Sequence, residues 1–248
     1  MLRDAWRRVP RGVVVLGFVS LLMDASSELV HALLPLFLVT TLGASVLVVG
    51  VIEGVAEATS LIVKVFSGVL SDLTRRRKPL VLAGYGLGAL SKLAFPLAPT
   101  LGWIVGARVV DRIGKGIRGA PRDALVADLT PPEARGAAYG VRQALDTVGA
   151  IAGPLLAVGA MAWFAGDIRS AFWVAVLPAA LCVLLIVAGV REPEHARASP
   201  GAPRIALADV RRLDRPFVVV TAIAAVLTLA RFSEAFLVLR AQDVGMPL

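Results

Sequence analysis

Residues 101–126 read LGWIVGARVVDRIGKGIRGAPRDALV, a stretch long enough to span a membrane as a helix but charged through its centre. Because ionisable groups are costly in hydrocarbon, a lipid-facing surface could not carry these charges. The pattern therefore predicts that the helix lies inside a bundle, with its charges turned towards protein or water. The charged residues recur at steps of three or four and so share one broad helix face: Arg108, Asp111, Arg112, Lys115, Arg118 and Arg122.

The rest of the sequence has the composition of a membrane protein. Of the 248 residues, 57% are hydrophobic and only 18% are charged, which is too little charge for the surface of a soluble protein of this size. The single cysteine, Cys182, excludes an internal disulfide. The sequence thus predicts an all-α polytopic membrane protein with seven spans: Val13–Thr40, Val46–Leu70, Pro79–Ala98, Leu101–Val126, Ala137–Trp163, Ala171–Val190 and Phe217–Leu239.

The distribution of basic residues predicts how these spans are oriented. Arginine and lysine are concentrated near the N-terminus and in alternate connections, at residues 75–78, 122–135 and 191–215, whereas the other connections are almost free of charge. Since cytoplasmic loops carry the positive excess, we expect a multi-pass protein of the cytoplasmic (inner) membrane with its N-terminus in the cytoplasm. The net charge of +8 is explained in the same way, and no nucleic-acid partner is expected.

The first predicted helix carries acidic residues near the middle of the membrane. Asp24, Glu28 and His31 follow a spacing of i, i+4 and i+7, which places them on one face. Counting along the helix, Asp24 lies about 16 Å into the span, close to the depth of Arg112 in the fourth helix. Two interpretations stay open: Asp24 and Glu28 exchange protons during transport, or they belong to structural ion pairs. For His31, a hydrogen-bonded packing role is expected.

Charged groups on the other predicted helices are interpreted by the same argument. In the seventh helix, Arg231 lies at the depth of Glu28, and Arg231 and Glu234 join the candidate cavity residues. Lys92, near the outer end of the third helix, is expected to extend to the membrane interface. Structural contacts, or contacts between the two halves, are expected for the charged and polar residues of the second and fifth helices: Glu53, Glu57, Lys64, Arg142, Gln143 and Asp146.

The connection between the second and third helices has a distinctive sequence, Gly68-Val-Leu-Ser-Asp72-Leu-Thr-Arg-Arg76-Arg77-Lys-Pro-Leu. It resembles the signature loop of the major facilitator superfamily, G-x-L-a-D-r-x-G-r-k-x-x-l. It departs from that pattern at residues 73 and 75, where leucine and arginine replace the usual arginine and glycine. The resemblance implies a cytoplasmic gate built on Gly68, Asp72, Arg76 and Arg77, in which Asp123 and Asp128 of the fourth helix are acidic partners of Arg76.

Two further motifs support this resemblance. Arg108 followed by Gly114 is similar to the R-x-x-q-G-x-G pattern of the superfamily, although Asp111 and Arg112 replace its polar residue and its first glycine. The fifth helix resembles the antiporter motif g-(x)8-g-(x)3-G-P-x-x-G-G without its final glycine pair. Small residues spaced by four also allow close helix contact, and proline bends a helix. The matching residues of the fifth helix are Gly140, Gly149, Gly153 and Pro154.

The resemblance covers the whole chain and implies a domain organisation. Residues 1–190 are expected to form a six-helix N-terminal bundle, residues 191–216 a cytoplasmic linker, and residues 217–248 the first helix of a truncated second half. Members of the superfamily line a central cavity with helices one, four, seven and ten, and the charges located above by spacing fall on helices one, four and seven. The chain alone is expected to insert, to pack its seventh helix loosely, and to lack a second half for alternating access.

The function implied is secondary active transport by alternating access. Helix five favours proton-coupled antiport, which would export a small organic molecule, whereas the polar helix four favours the alternative, proton-coupled uptake of a polar or anionic metabolite. The expected partners are an unidentified small-molecule substrate, protons and the lipid bilayer, and neither a cofactor nor a metal is expected. The candidate proton-coupling and cavity residues are Asp24, Glu28, Arg108, Asp111, Arg112, Lys115, Arg231 and Glu234.

Two other classes of protein are disfavoured by the sequence. A seven-helix receptor or photoreceptor is opposed by the predicted cytoplasmic N-terminus and by the absence of a lysine from the seventh span. A membrane enzyme is opposed because the sequence has neither a metal-spaced His/Asp/Glu cluster nor a G-x-S-x-G nucleophile motif. The sequence therefore does not predict an enzyme.

Overall fold

The structure is a computed structural model of the chain, and it describes residues 9–74, 76–192, 214–229 and 233–246. The regular structure of these residues is helical throughout. A π-helical turn, Phe37–Thr41, extends the first helix, and a short 3₁₀ turn, Pro132–Ala134, precedes the fifth. The α-helices in these described ranges are α1 Arg11–Leu36, α2 Val46–Thr74, α3 Arg77–Ala94, α4 Leu101–Leu129, α5 Arg135–Trp163, α6 Ile168–Gly189, α7 Arg215–Leu229 and α8 Ala235–Asp243.

Local sequence explains where several of these helices begin. The hydroxyl of Thr100 accepts a hydrogen bond from the Trp103 amide at the start of α4, and the carboxylate of Asp167 accepts one from the Arg169 amide at the start of α6. Both are N-cap bonds that satisfy backbone amides left without a partner in the first turn. Between α1 and α2, Gly43 adopts a φ of +67°, which residues with a side chain rarely adopt.

The first six helices pack as two groups of three. Helix α1 packs against α5 and α6, while α4 packs against α2 and α3. The groups are joined mainly by α3 against α6, with smaller contacts of α1 against α4 and α3. Helices α1 and α4 are each central to one group, so the residues on their facing sides lie in the interior of the bundle.

Glycines allow α4 to approach both of its neighbours closely. A side chain on Gly114 would meet the backbone of Gly84 and Gly88 in α3, and a side chain on Gly116 would meet the Ser60 carbonyl and the side chain of Val63 in α2. Small residues at helix contacts bring the backbones together where lipid tails give no hydrophobic driving force. The charged face of α4 is therefore held close to α2 and α3.

The glycines of α5 have the same role against α1. A side chain on Gly149 would meet the backbone of Leu21, and one on Gly153 would meet the Ala25 carbonyl and the Cβ atom of Glu28. The small-xxx-small contact surface predicted for these two glycines is therefore present. It fixes the segment of α1 that carries Asp24 and Glu28.

The exterior of the bundle is apolar enough for a membrane. Large apolar side chains are exposed along α2, α5 and α6, for example Phe66, Leu155 and Leu177. Within the described residues, four helical segments are long and apolar enough to cross a membrane: Arg11–Thr41, Val46–Thr74, Pro132–Trp163 and Ile168–Gly189. Helix α4 carries more charge than these segments, in a series that runs from Arg108 to Asp128.

The predicted seventh span is wrong as a single helix. Helix α7 ends at Leu229 and α8 begins at Ala235, and the hydroxyl of Ser233 accepts a hydrogen bond from the Ala235 amide. A serine hydroxyl that bonds a nearby amide favours a new helix start over an uninterrupted helix. Residues 215–228 of α7 are exposed, as the expectation of loose packing implied, but α8 packs against α1 and α2. Most of the predicted linker, residues 193–213, lies outside the described residues.

We expect Gly149→Ala to lower the thermal unfolding midpoint of the detergent-purified protein, because the added Cβ overlaps the backbone of Leu21. Overpacking of this kind costs about 1–3 kcal/mol. The matched control is Gly159→Ala in the same helix, where nothing lies within 4 Å of an added Cβ, and its midpoint should be unchanged or slightly higher. Equal midpoints for the two variants would contradict the close α1–α5 contact.

Candidate functional site

The charges of α4 enter two connected polar regions in the interior of the bundle. The first is a buried network that joins α1, α2, α3 and α4, and the second is a cavity between α1, α2, α4 and α5. Glu28 and Glu57 belong to both regions, so the two are continuous. The buried network consists of Glu28, His31, Glu53, Glu57, Ser91, Lys92, Arg108, Asp111 and Arg112.

The strongest pair in the buried network joins α2 to α4. The guanidinium of Arg108 donates from Nε to Oε1 of Glu53 over 3.1 Å and from Nη2 to Oε2 over 2.7 Å. Arg108 is only 1% exposed, so this two-point bond is shielded from water. Such a fork-to-carboxylate geometry is the one that best compensates a buried guanidinium. Glu53, which the sequence placed among general structural contacts, is therefore the principal partner of Arg108.

A second pair joins α3 to α4. The ammonium of Lys92 lies 2.6 Å from Oδ1 of Asp111, and the hydroxyl of Ser91 donates to the same oxygen over 3.2 Å. The other carboxylate oxygen of Asp111 lies 3.8 Å from Arg108 and 3.9 Å from Arg112. The carboxylate of Asp111 is thus surrounded by three cations and connects them to one another.

The expectation that Lys92 extends to the membrane interface is wrong. Its side chain is 1% exposed and its charge is held inside the bundle by Asp111. The reason is visible in the spacing of α3, where Gly84, Gly88 and Lys92 recur every four residues on the face that packs against α4. A face made of glycines is a helix contact, and that signal could have predicted that Lys92 points into the bundle.

His31 connects the buried network to α1. Its Nδ1 lies 3.7 Å from a carboxylate oxygen of Glu28, and its Nε2 lies 3.6 Å from Oε2 of Glu53. His31 therefore lies between two acids on different helices. Arg112 reaches the same region from α4, 3.8 Å from Glu57 of α2. Arg112 and Asp24 were matched by their predicted depth in the membrane, but they do not form an ion pair, because Arg112 turns towards α2.

The cavity has a volume of about 390 Å³ and a strongly charged lining. Its acids come from α1, α2 and α5, and its bases come from α2 and α4. A space of this size accepts a small organic molecule. The lining residues are Asp24, Glu28, Glu57, Ser60, Leu61, Lys64, Lys115, Arg118, Gly119, Arg122, Gln143, Asp146, Thr147 and Ala150.

Asp24 lies in the cavity wall, as the face of the predicted helix required. Among the described residues its carboxylate has no hydrogen bond or ion pair, and the positive charges that act most strongly on it are those of Arg118, Arg122 and Lys115. Glu28 lines the same cavity one turn further along α1. The structure therefore brings together Asp24, Glu28 and Lys115 of the predicted set, while Arg108, Asp111 and Arg112 lie in the adjoining network.

A further cluster fastens α4 to α5 beside the cavity. Arg122 and Arg142 both contact the carboxylates of Asp123 and Asp146, and the shortest distance is 2.6 Å between Arg142 and Asp146. The hydroxyl of Tyr139 donates to the backbone carbonyl of Asp123 over 2.8 Å. This cluster confirms structural contacts for the charged residues of α5. It also places Asp123 away from the predicted gate.

The predicted gate residues meet at the end of the bundle where α3 begins. Arg77 contacts Asp72 of α2 at 3.4 Å and forms an ion pair with Asp128 of α4, and its backbone amide donates to Glu192. Arg77, rather than Arg76, is therefore the arginine that joins the helices, because Arg76 precedes α3 and is exposed. Asp123 is not a partner of either arginine.

The remaining predicted residues are placed as follows. Gly68 lies in α2 at ordinary contact distance from Ala120, Gly140 has open space beside it, and Pro154 lies within α5 on an exposed face. Glu234 is exposed in the turn before α8 and is not among the residues that line the cavity, and its predicted role stays a prediction. Arg231 lies outside the described residues. In the described part of the chain, no group of three or more His, Cys, Asp or Glu side chains could hold a metal ion.

A helical bundle with an apolar exterior, a charged interior and an internal cavity is the architecture of a multi-pass membrane protein. The family model described as Major Facilitator Superfamily matches residues 16–247, and the chain therefore belongs to this superfamily. The resemblance seen in the sequence motifs is confirmed by this match.

Known relatives and a solved structure agree with this assignment. The chain is 32% identical over 242 residues to an uncharacterised MFS-type transporter, MJ1317, of Methanocaldococcus jannaschii, covering 97% of this chain and 59% of the relative. It is 32% identical over 146 residues to the multidrug resistance protein MdtH of Photorhabdus laumondii, covering 58% of this chain and 36% of MdtH. The crystal structure of the human organic anion transporter MFSD10 (TETRAN) superposes with a TM-score of 0.63 at 25% identity, covering 86% of this chain and 54% of MFSD10. The chain thus spans about half the length of the curated relatives it matches.

We expect Lys92→Met to destabilise the protein strongly, because the carboxylate of Asp111 would stay buried without its closest cation. Removing one partner of a buried pair costs about 3–5 kcal/mol. The double variant Lys92→Met/Asp111→Leu should recover much of the lost stability in a chemical denaturation series. The control is Arg240→Met, whose pair with Asp243 is largely exposed and should contribute about 1 kcal/mol or less.

The contact of Lys92 with Asp111 is tested by comparing the single and double variants. If Lys92→Met unfolds at the same denaturant concentration as the unmodified protein, the ammonium is not buried against Asp111 in the membrane protein.

Proposed function

We propose that the protein is a proton-coupled secondary active transporter that moves a small organic molecule by alternating access. The observation that carries this proposal is the position of Asp24, an acid in the wall of the cavity with no ion-pair partner among the described residues. Membership of the Major Facilitator Superfamily supports the transport mechanism, in which two halves rock around a central site. In this proposal the end of the bundle at Arg77 faces the cytoplasm, as the basic loops predict.

Proton exchange at Asp24 changes the charge of the cavity wall. The cations Arg118, Arg122 and Lys115 face this carboxylate from α4, and the acids that act on it are Glu28 on α1 and Asp146 on α5. A proton on Asp24 removes one negative charge from this balanced set, which makes the cavity more positive. Substrate binding and proton binding at Asp24 are therefore linked, and linkage of two ligands at one site is what coupling requires.

The network beside the cavity supplies a stable framework for this exchange. Arg108, Glu53, Asp111 and Lys92 neutralise one another in two close pairs, so their charges are compensated whether Asp24 is protonated or not. His31 lies between Glu28 and Glu53 and so connects the cavity to that framework. We assign coupling to Asp24 and Glu28, and the positioning of α1, α2 and α3 around α4 to the buried pairs.

Two directions of transport follow from the charge of the substrate. Export by proton antiport is favoured by the likeness to MdtH, a multidrug resistance protein, and by the helix-five motif. Uptake by proton symport is favoured by the cations of the cavity, because an anion binds more strongly once Asp24 is protonated. Antiport requires a substrate whose binding competes with protonation of Asp24. Symport requires a substrate whose binding is strengthened by protonation of Asp24.

With both halves of the transporter present, we expect Asp24→Asn to abolish substrate-driven proton movement while leaving substrate exchange at least partly intact. The assay uses membrane vesicles from cells that express the gene, with a pH-sensitive dye in the lumen and a panel of small organic acids, amides and amines outside. Asp24→Glu retains an ionisable carboxyl and should retain coupling. Arg135→Gln, an exposed position outside the cavity, should behave like the unmodified protein.

The sign of the pH change in the lumen distinguishes symport from antiport. Full substrate-driven proton movement by Asp24→Asn would show that another group carries the proton. Loss of both proton movement and exchange, with normal folding, would make Asp24 a substrate-binding residue and not the coupling group.

A further inference from the structure

The charges of the cavity lining are not equally compensated. Of its four acids, Glu28 lies beside His31, Glu57 pairs with Arg112, and Asp146 pairs with Arg142 and Arg122. The fourth acid, Asp24, is without an ion pair among the described residues. Two of the acids, Glu57 and Asp146, are thus engaged by arginines, whereas Glu28 contacts only an imidazole.

The cations of the lining are engaged less often. Arg122 contacts Asp123 and Asp146 and donates to the hydroxyl of Ser20. Within the described part of the chain, Lys64, Lys115 and Arg118 form no ion pair, although Glu28 and Glu57 lie near enough for their charges to act on Lys115. The unpaired groups of the cavity wall in the described residues are therefore three cations and Asp24, together with Glu28, whose nearest partner is the imidazole of His31.

Arg118 is the most unusual of these cations. It is 4% exposed, its guanidinium stacks over the ring of Tyr85 with 4.6 Å between Cζ and the ring centroid, and its Nη1 has no hydrogen-bond partner in the described residues. The aromatic face compensates part of the positive charge but accepts no N–H bond in the plane of the guanidinium. Nη1 itself is packed beside Gly88 of α3, but Arg118 also belongs to the cavity lining, so the charge of its guanidinium acts on a ligand there.

We infer that the cavity binds an organic anion, whose carboxylate, phosphate or sulfonate group is held by Arg118 and Lys115 with Lys64 at the rim. This inference rests on the proposed transport function and names the class of its substrate. A planar guanidinium matches the two oxygens of such a group, and the lysines add positive charge on the open side of the cavity. Among the described residues, the ammonium of a cationic substrate would find Asp24 and Glu28 without a lysine or arginine partner, but it would lie opposite three unpaired cations.

The inference also selects a direction for coupling. An anion between Arg118 and Lys115 is repelled by an ionised Asp24 in the same wall and is not repelled once that carboxyl is protonated. The anion and the proton therefore assist each other's binding, and by reciprocity they move together. Uptake by symport follows, in preference to export by antiport.

The test measures binding directly on the purified chain in detergent, without a gradient. Its thermal unfolding midpoint is followed against concentration for a panel of small carboxylates, phosphates and sulfonates, together with the uncharged amide and the amine analogue of each. We expect at least one anion to raise the midpoint saturably, with no effect of its amide or amine. Lys115→Gln and Arg118→Gln should each weaken the apparent Kd about tenfold to a hundredfold, and Arg135→Gln should leave it unchanged.

Stabilisation by amines alone, by no anion of the panel, or by an anion whose apparent Kd is the same in both cavity variants would overturn the inference. Arg118 is buried, so Arg118→Gln could fail to fold, and Lys115→Gln, at an exposed position of the cavity wall, then decides the result. Failure of the transport proposal gives a different pattern. In that pattern an anion binds, but the Asp24→Asn variant still shows full substrate-driven proton movement. The anion inference is then retained, and Asp24 is not the coupling group.

Discussion

Burying the charged face of α4 is the constraint on which the other helices depend. Ionised groups cannot face lipid, and each must find an opposite charge or water inside the bundle. Glu53 of α2 pairs with Arg108, and Lys92 of α3 pairs with Asp111. Arg112 contacts Glu57 of α2, and the other cations of α4, Lys115, Arg118 and Arg122, line the cavity. The positions of α2 and α3 around α4 are therefore set by ion pairs as well as by apolar packing. An incomplete set of pairs is what leaves the cavity with a charge that a substrate can complement.

Small residues make this arrangement geometrically possible. The glycines of α4 allow α2 and α3 to approach within reach of short, direct ion pairs, and Gly149 and Gly153 of α5 hold α1 so that Asp24 and Glu28 face the same interior. Without these contacts the charged side chains would have to bridge wider gaps, and water would separate them. Packing of the backbone and pairing of charges thus support one another. Close backbone packing and charge pairing are both incomplete at the cavity, which lies between α1, α2, α4 and α5.

Much of this arrangement could be predicted from the sequence, because helical spacing fixes which residues share a face. The charged face of α4, the shared face of Asp24 and Glu28, and the close contact at Gly149 and Gly153 all follow from periodicity. Partners on other helices could not be predicted, since spacing within one helix says nothing about its rotation against the next. Lys92 was misplaced for that reason, Arg112 was matched by depth to Asp24 although it turns towards Glu57, and Arg77 occupies the position expected of Arg76. The break before Ala235 was missed because an apolar run hides a local serine cap.

The central claim is that the charged face of α4 opens onto water inside the bundle and not onto lipid. The most direct measurement is reaction of single cysteines with a charged, membrane-impermeant thiol reagent, in a Cys182→Ser background that removes the one buried native thiol. Lys115→Cys and Gly119→Cys lie in the cavity wall and should react rapidly, whereas Leu177→Cys, on the exposed apolar face of α6, should stay unmodified in the membrane. Protected cysteines at residues 115 and 119, together with ready labelling at residue 177, would contradict the account.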